Sequence, residues 1–180
     1  MPSCEAARPA RCPCCRVESR PIGSRVVVVG HGVVERQVRG PAAAQGVPML
    51  QLLRVRRYRC RSCTAVLLVG PRGLVPGRWY GAGAIGVALT RFALGETHAA
   101  VRGAVSPLRW LGVAATERWI TLSRWIDAVE AGRLLGIRVP AGLGRRGVAE
   151  HAARVLAARA DGLLQADRLA AAFEGASAAA

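Results

Sequence analysis

Cys12-Pro13-Cys14-Cys15 and Cys60-Arg61-Ser62-Cys63, with 44 residues between them, are the two stretches whose reading decides the fold. Each contains Cys-x-x-Cys, the spacing at which a tight backbone knuckle presents two thiolates to one point. Two such pairs complete a tetrahedral four-sulfur site of the kind that holds Zn²⁺. The expected ligands are Cys12, Cys15, Cys60 and Cys63. Cys14 beside the first knuckle, Cys4 upstream and His31, the nearest imidazole, are the possible substitutes; Gly30 and Gly32 flank His31 and place it in an expected turn. A redox reading of either pair would need the motif at the head of a helix in a βαβ context, which neither pair has.

Working outward from the second knuckle, Arg54-Val55-Arg56-Arg57-Tyr58-Arg59-Cys60-Arg61 puts five arginines in eight residues. On a strand, Arg54 and Arg56 share a face with Tyr58, while Arg57 and Arg59 project from the other. That alternation predicts a ribbon able to contact phosphates from more than one side. Arg25 to Val29, Val33 to Arg39 and Leu53 to Tyr58 read as strands. Pro41 to Pro48 reads as the loop between them, and Thr64 to Val69 as a last strand ended by Gly70-Pro71. Residues 1–78 are therefore expected to form a small β-rich zinc ribbon.

From residue 79 the apolar spacing becomes helical. Ile85, Ala88, Leu89 and Phe92 form one stripe closed by Gly95. A second helix capped by Thr97 buries Val101 and Val105 and stops before Pro107. After a turn at Gly112, a third helix is expected with Thr116 as its N-cap, burying Trp119, Leu122, Ile126 and Val129. Arg118, Thr121 and Arg124 then face the opposite way. Residues 79–131 so described suit a helix-turn-helix. Beyond them, residues 132–180 read as a glycine-rich linker (Gly132 to Gly147), a helical hairpin (Val148 to Arg159 and Leu163 to Phe173) and a fraying tail from Gly175. No internal repeat is evident. The fold class is α+β.

Cys12-Pro13-Cys14-Cys15, Arg57-Tyr58-Arg59-Cys60-Arg61-Ser62-Cys63, then Pro76 and Tyr80 opening a helical segment, resemble the N-terminal zinc ribbon and helix-turn-helix of bacterial insertion-sequence transposases. Thr121-Leu122-Ser123-Arg124-Trp125-Ile126 resembles their T-x-x-R-W-[IL] third-helix signature. The likeness covers roughly residues 10 to 130. It implies a Zn²⁺-binding protein that grips double-stranded DNA, with a full-length transposase or a second copy as further partners. Such transposases continue into an RNase-H-like domain whose carboxylates bind divalent metals. Asp127, Asp161 and Asp167 stand in helical or linker contexts instead, so a DNA-binding portion without catalysis is expected.

The charge agrees with a polyanionic partner. The 26 basic residues are all arginine against 11 acids, a net charge of +15. The excess is uneven: residues 1 to 80 hold 14 arginines and 3 acids, and residues 81 to 180 hold 12 and 8. It therefore sits beside the cysteines, where Arg54, Arg56, Arg57, Arg59 and Arg61 are the expected phosphate contacts. Arg118, Thr121 and Arg124 are the expected base-reading set. Gly81-Ala82-Gly83-Ala84-Ile85-Gly86 matches the dinucleotide pattern but follows no convincing strand, so its glycines read as flexibility at a helix start. No run reaches membrane-spanning length and no secretory leader is recognisable, giving an expected cytoplasmic protein with reduced cysteines.

Overall fold

A computed structural model describes residues 3–115, 118–160 and 167–180. The elements run β1 (Val28–Gly40), β2 (Met49–Cys60), β3 (Val66–Val69), α1 (Ala82–Ala93), α2 (His98–Val105), α3 (Ile120–Glu130), α4 (Arg145–Ala157) and α5 (Arg168–Ala179), an α+β arrangement. The chain divides into two compact units. One is Met1–Gln37 with Leu52–Pro71; the other is Val38–Gln51 with Arg72–Ala180. The units are therefore not cut at residue 78. The far ends of β1 and β2 belong with the helices because the Arg39 N–H donates to Trp79 O (2.7 Å) and the Gly81 N–H to Arg39 O (3.1 Å).

The sheet has the order β1-β2-β3. β2 and β3 are antiparallel, with Arg57 opposite Leu68 and Arg59 opposite Val66. The two strands expected on either side of Gly30-His31-Gly32 are one: β1 runs through that tripeptide, so His31 is a strand residue and not a turn residue. The glycines have another use. A Cβ at Gly30 would lie 2.5 Å from Cys4 Sγ, and Gly32 takes φ +94°, a conformation that suits glycine. The core of this unit is small, with Cys12, Val28, Tyr58 and Cys60 fully buried. Two of those four are expected ligands.

In the helical unit α1 is central. Ten of its residues, from Ala82 to Phe92, are buried, and α2, α3, α4 and α5 all pack against it. A helix apolar on every side is one enclosed by neighbours. Gly83 and Gly86 lie inside this helix, where α5 comes close. A Cβ at Gly83 would meet the Phe173 ring at 2.5 Å, and one at Gly86 the Ala172 carbonyl oxygen at 2.5 Å. The apparent dinucleotide pattern is thus mostly a helix-packing surface, not flexibility at the helix start.

Thr97 caps α2 as expected, accepting from the Ala100 N–H at 3.2 Å. α3 begins at Ile120, with Trp119 at the N-cap position; Thr116, the expected cap, lies outside the described residues. Trp119, Leu122, Ile126 and Val129 are buried as expected, and Trp125 joins them. Tyr80, Trp119 and Trp125 form an edge-to-face cluster with centroids 5.0 to 5.8 Å apart. The segment between α2 and α3 covers residues 106–119, far longer than the roughly 3–4 residues of a tight helix-turn-helix turn.

Two further expectations are corrected. The stretch Gly132 to Gly147 is not a loose linker, because Leu134, Leu135 and Ile137 are buried and Arg159 donates to the carbonyls of Leu135 (2.7 Å) and Gly136 (3.1 Å). The tail is not frayed. α5 starts at Arg168, with Asp167 Oδ1 accepting from the Leu169 and Ala170 N–H groups, and continues to Ala179 with Gly175 and Ala176 buried. Asp161 and Leu163 lie outside the described residues.

His98 ties α2 to the start of α3, its Nδ1 accepting from the Trp119 N–H at 3.1 Å. Burial lowers its pKa from the ordinary 6.5, and the nearby cations Arg118, Arg145 and Arg146 lower it further. A histidine held neutral in the folded state contributes stability above its unfolded pKa, and that contribution is lost as pH falls through the folded value. Denaturant melts of the wild type should therefore show a stability loss beginning below about pH 6.5 that is reduced in His98→Gln. Identical pH profiles for the two proteins would contradict this role.

Candidate metal centre

The four expected cysteines converge. The Sγ atoms of Cys12, Cys15, Cys60 and Cys63 all lie within 4.8 Å of one another. Cys12 Sγ is 3.7 Å from Cys63 Sγ, and Cys15 Sγ is 3.8 Å from Cys60 Sγ. For a tetrahedral ion with metal–sulfur bonds of about 2.3 Å, geometry requires sulfur–sulfur edges of about 3.8 Å. Those two of the six separations match that edge, and they are far too long for a disulfide. Cys4, Cys14 and His31 are not in the group. Cys14 is exposed, and His31 stands on β1.

The two knuckles are built alike. The Cys12 N–H donates to Val17 O and the Cys60 N–H to Ala65 O, both at 2.9 Å. Arg11 bridges Glu18 just as Arg59 pairs with Val66. Arg16 and Thr64, each one residue past the second cysteine of its knuckle, both take φ +62°. Every one of these features recurs after the same displacement that separates Cys12 from Cys60. A left-handed conformation costs a non-glycine residue about 1 kcal/mol or more, so its matched recurrence marks two copies of one ligand-presenting turn. In sequence the copies share only their cysteines and the arginine before them, Arg11 and Arg59, which is why no repeat was evident there.

The electrostatics call for a cation. The backbone N–H of Cys15, with that of Cys14, points at Cys12 Sγ and outweighs burial, lowering that thiol to about 7. Cys63 accepts from the Ala65 N–H, which acts downward, but burial and the sulfurs of Cys15, Cys60 and Cys12 push it up to about 12. The Cys12 thiolate forms readily, and Cys63 resists a second negative charge so close by. A divalent ion at the centre would remove that repulsion, and its uptake would then release protons and strengthen as pH rises.

β2 delivers both the second knuckle and the arginines. Tyr58 is fully buried and donates its O–H to Cys4 O at 2.6 Å. The face it shares with Arg56 is therefore covered at this end, and Arg56 is half-buried. The ribbon is not open on both sides beside the metal site. On the opposite face Arg59 is exposed, while Arg57 is half-buried with its Nε donating to His31 O at 3.1 Å. Arg54 and Arg61 are also exposed, one farther along β2 and one in the knuckle turn. The sequence places Tyr58 on the strand and in the transposase-like run, and its burial against the cluster is a further role that the structure adds.

In the other unit the expected reading set is divided. Arg118 precedes α3 and donates through Nε to Ser123 Oγ at 2.9 Å. Thr121 is half-buried and Arg124 is exposed on α3. Asp127, one turn beyond Arg124, accepts from Arg145 at 2.7 Å. No protein-family model matches the chain, and no curated protein or solved structure matches it either. Among the described residues no helix is long and apolar enough to cross a membrane.

Proposed function

We propose that the four cysteines hold one Zn²⁺ and that the ribbon so fixed grips double-stranded DNA, in the manner of the transposase regions it resembles. The observation that carries this reading is the exposed set Arg54, Arg59 and Arg61 on the strand and turn that run into the cysteine cluster. A metal that closes the knuckle holds Arg59 and Arg61 in fixed positions, so their phosphate contacts lose less conformational entropy. In this reading α3 supplies the base contacts through Arg124, with Thr121 beside it and Arg118 steadying the helix start. The long connection from α2 makes this a relaxed version of a helix-turn-helix. Catalysis is left to another protein: Asp127 is engaged by Arg145, and Asp167 caps α5.

Fluorescence anisotropy on specific and scrambled duplexes across a salt series tests the reading. Arg59→Ala should weaken binding to both sequences alike and reduce the log–log salt slope by about 1. Arg124→Ala should relax preference at one base position, by about 1 to 3 kcal/mol. Wild-type protein without salt-dependent DNA binding would defeat the proposal. A docking role on a transcription, translation or transposase complex would then gain ground, favoured by Val66 and Leu68, which are more than half exposed on the same face as Arg59.

A further inference from the structure

The ribbon unit carries a groove of about 470 Å³ between the N-terminal turn and the arms of the first knuckle. Arg8, Arg11, Arg20, Glu5, Glu18 and Ser19 supply its polar lining. Glu5 pairs with Arg8 (3.1 Å) and Arg20 (2.8 Å), and Glu18 pairs with Arg11 (3.4 Å). Both carboxylates are thus engaged, while the side chains of Arg11 and Arg20 stay 67% and 59% exposed, each giving one nitrogen to its glutamate. Ser19, by contrast, is 2% exposed. Its N–H donates to Ala10 O and its carbonyl accepts from the Val27 N–H, both at 2.9 Å, so the backbone fixes it in place. Its Oγ has no hydrogen-bond partner among the described residues, and neither has the buried Nε of Arg8. Buried polar atoms without a partner cost stability. Arginine Nε–H can only donate and a hydroxyl can donate, so both call for an acceptor.

We propose that this groove takes one phosphate group, its oxygens accepting from Arg8 Nε and Ser19 Oγ inside and from Arg11 and Arg20 at the mouth. A phosphate offers several acceptor oxygens to donors that come from different sides, and arginine suits it. Among the described lining residues three guanidiniums face two carboxylates, so the groove keeps a net positive charge with the glutamates in place. The phosphate can be free or part of a DNA backbone. Arg11 stands in the first knuckle where Arg59 stands in the second, directly before the first cysteine and in the same paired position. A backbone phosphate in the groove gives the first knuckle the contact that Arg59 gives the second. The choice of phosphate over other oxyanions rests on the DNA-binding reading above.

The test uses the full chain with its metal and follows arginine Nε–H and backbone amide signals in ¹H–¹⁵N spectra as inorganic phosphate or a scrambled DNA duplex is added. The expected result is a saturable shift of the Arg8 Nε–H signal. Binding should weaken about tenfold in Ser19→Ala, weaken in Arg20→Ala and strengthen in Glu18→Gln, which frees Arg11. Ser19→Ala should also raise the melting temperature in phosphate-free buffer, because it removes an unpartnered hydroxyl. A lowered melting temperature would mean that the hydroxyl is already satisfied within the fold, and it overturns the inference. Shifts with inorganic phosphate, with or without the duplex, assign a site for free phosphate groups, and shifts with the duplex alone assign a backbone phosphate. No shift with either probe, or unchanged binding in both Ser19→Ala and Arg20→Ala, also overturns it. Arg59→Ala in the same duplex titration separates the two readings. If it weakens binding while the first-knuckle variants do not, only the groove inference falls; if phosphate binds and the duplex does not, only the DNA reading falls.

Discussion

Cys60→Ser should empty the metal site and unfold the ribbon while the helical unit keeps its structure. Serine cannot replace a thiolate ligand, and three cysteines from two knuckles leave the ion under-coordinated. The consequence is large because the ribbon has little else to hold it. Among the described residues its buried apolar set is Cys12, Val28, Tyr58 and Cys60 in one cluster, with Val55 elsewhere on β2. Structural zinc contributes on the order of 10 kcal/mol in zinc-finger peptides. In ¹H–¹⁵N spectra the dispersed strand resonances should collapse while the signals of α1, α3 and α5 hold their positions. Cys14→Ser should leave the spectrum unchanged, since Cys14 is exposed and outside the cluster. A ribbon that stays folded in Cys60→Ser would remove the metal from the account of its stability.

Gly175→Val should be the most damaging single change in the helical unit. A Cβ at Gly175 would run into the Leu156 carbonyl oxygen, so α4 and α5 meet backbone to backbone there. Added bulk must push the two helices apart, and both are packed on α1. Overpacking of this kind costs about 3 kcal/mol, and the branched side chain adds to it. Gly103→Ala is the informative contrast. Gly103 lies within α2 with nothing within 4 Å of a Cβ, so alanine should stabilise by about 0.5 to 1 kcal/mol. Denaturant melts of the two variants should move in opposite directions. Two equal losses would mean that glycine matters at Gly103 for a reason other than helix propensity.

What could be read from the sequence, and what could not, divides along a physical line. Cys-x-x-Cys spacing reports local turn geometry, so the four cysteines could be named before their Sγ atoms were seen together. The Thr97 cap and the buried spacing of Trp119, Leu122, Ile126 and Val129 are likewise local. Glycine misled wherever its reason lay in a distant partner. Gly30 makes room for Cys4, and the expected turn is part of β1. Gly83 and Gly86 make room for α5, which no inspection of α1 alone reveals. Glycines between Gly132 and Gly147 suggested slack, yet Leu134 and Ile137 anchor that stretch in the core. The left-handed residues Arg16 and Thr64 left no trace in sequence, because neither is a residue type that advertises that conformation.

X-ray absorption at the zinc edge, on protein purified without added metal and paired with elemental analysis, probes the central claim most directly. The expected result is one zinc per chain with four sulfur neighbours at about 2.3 Å and no nitrogen or oxygen in the coordination sphere. A preparation that folds with no bound metal, or an ion with an imidazole or water in place of one of Cys12, Cys15, Cys60 and Cys63, contradicts it.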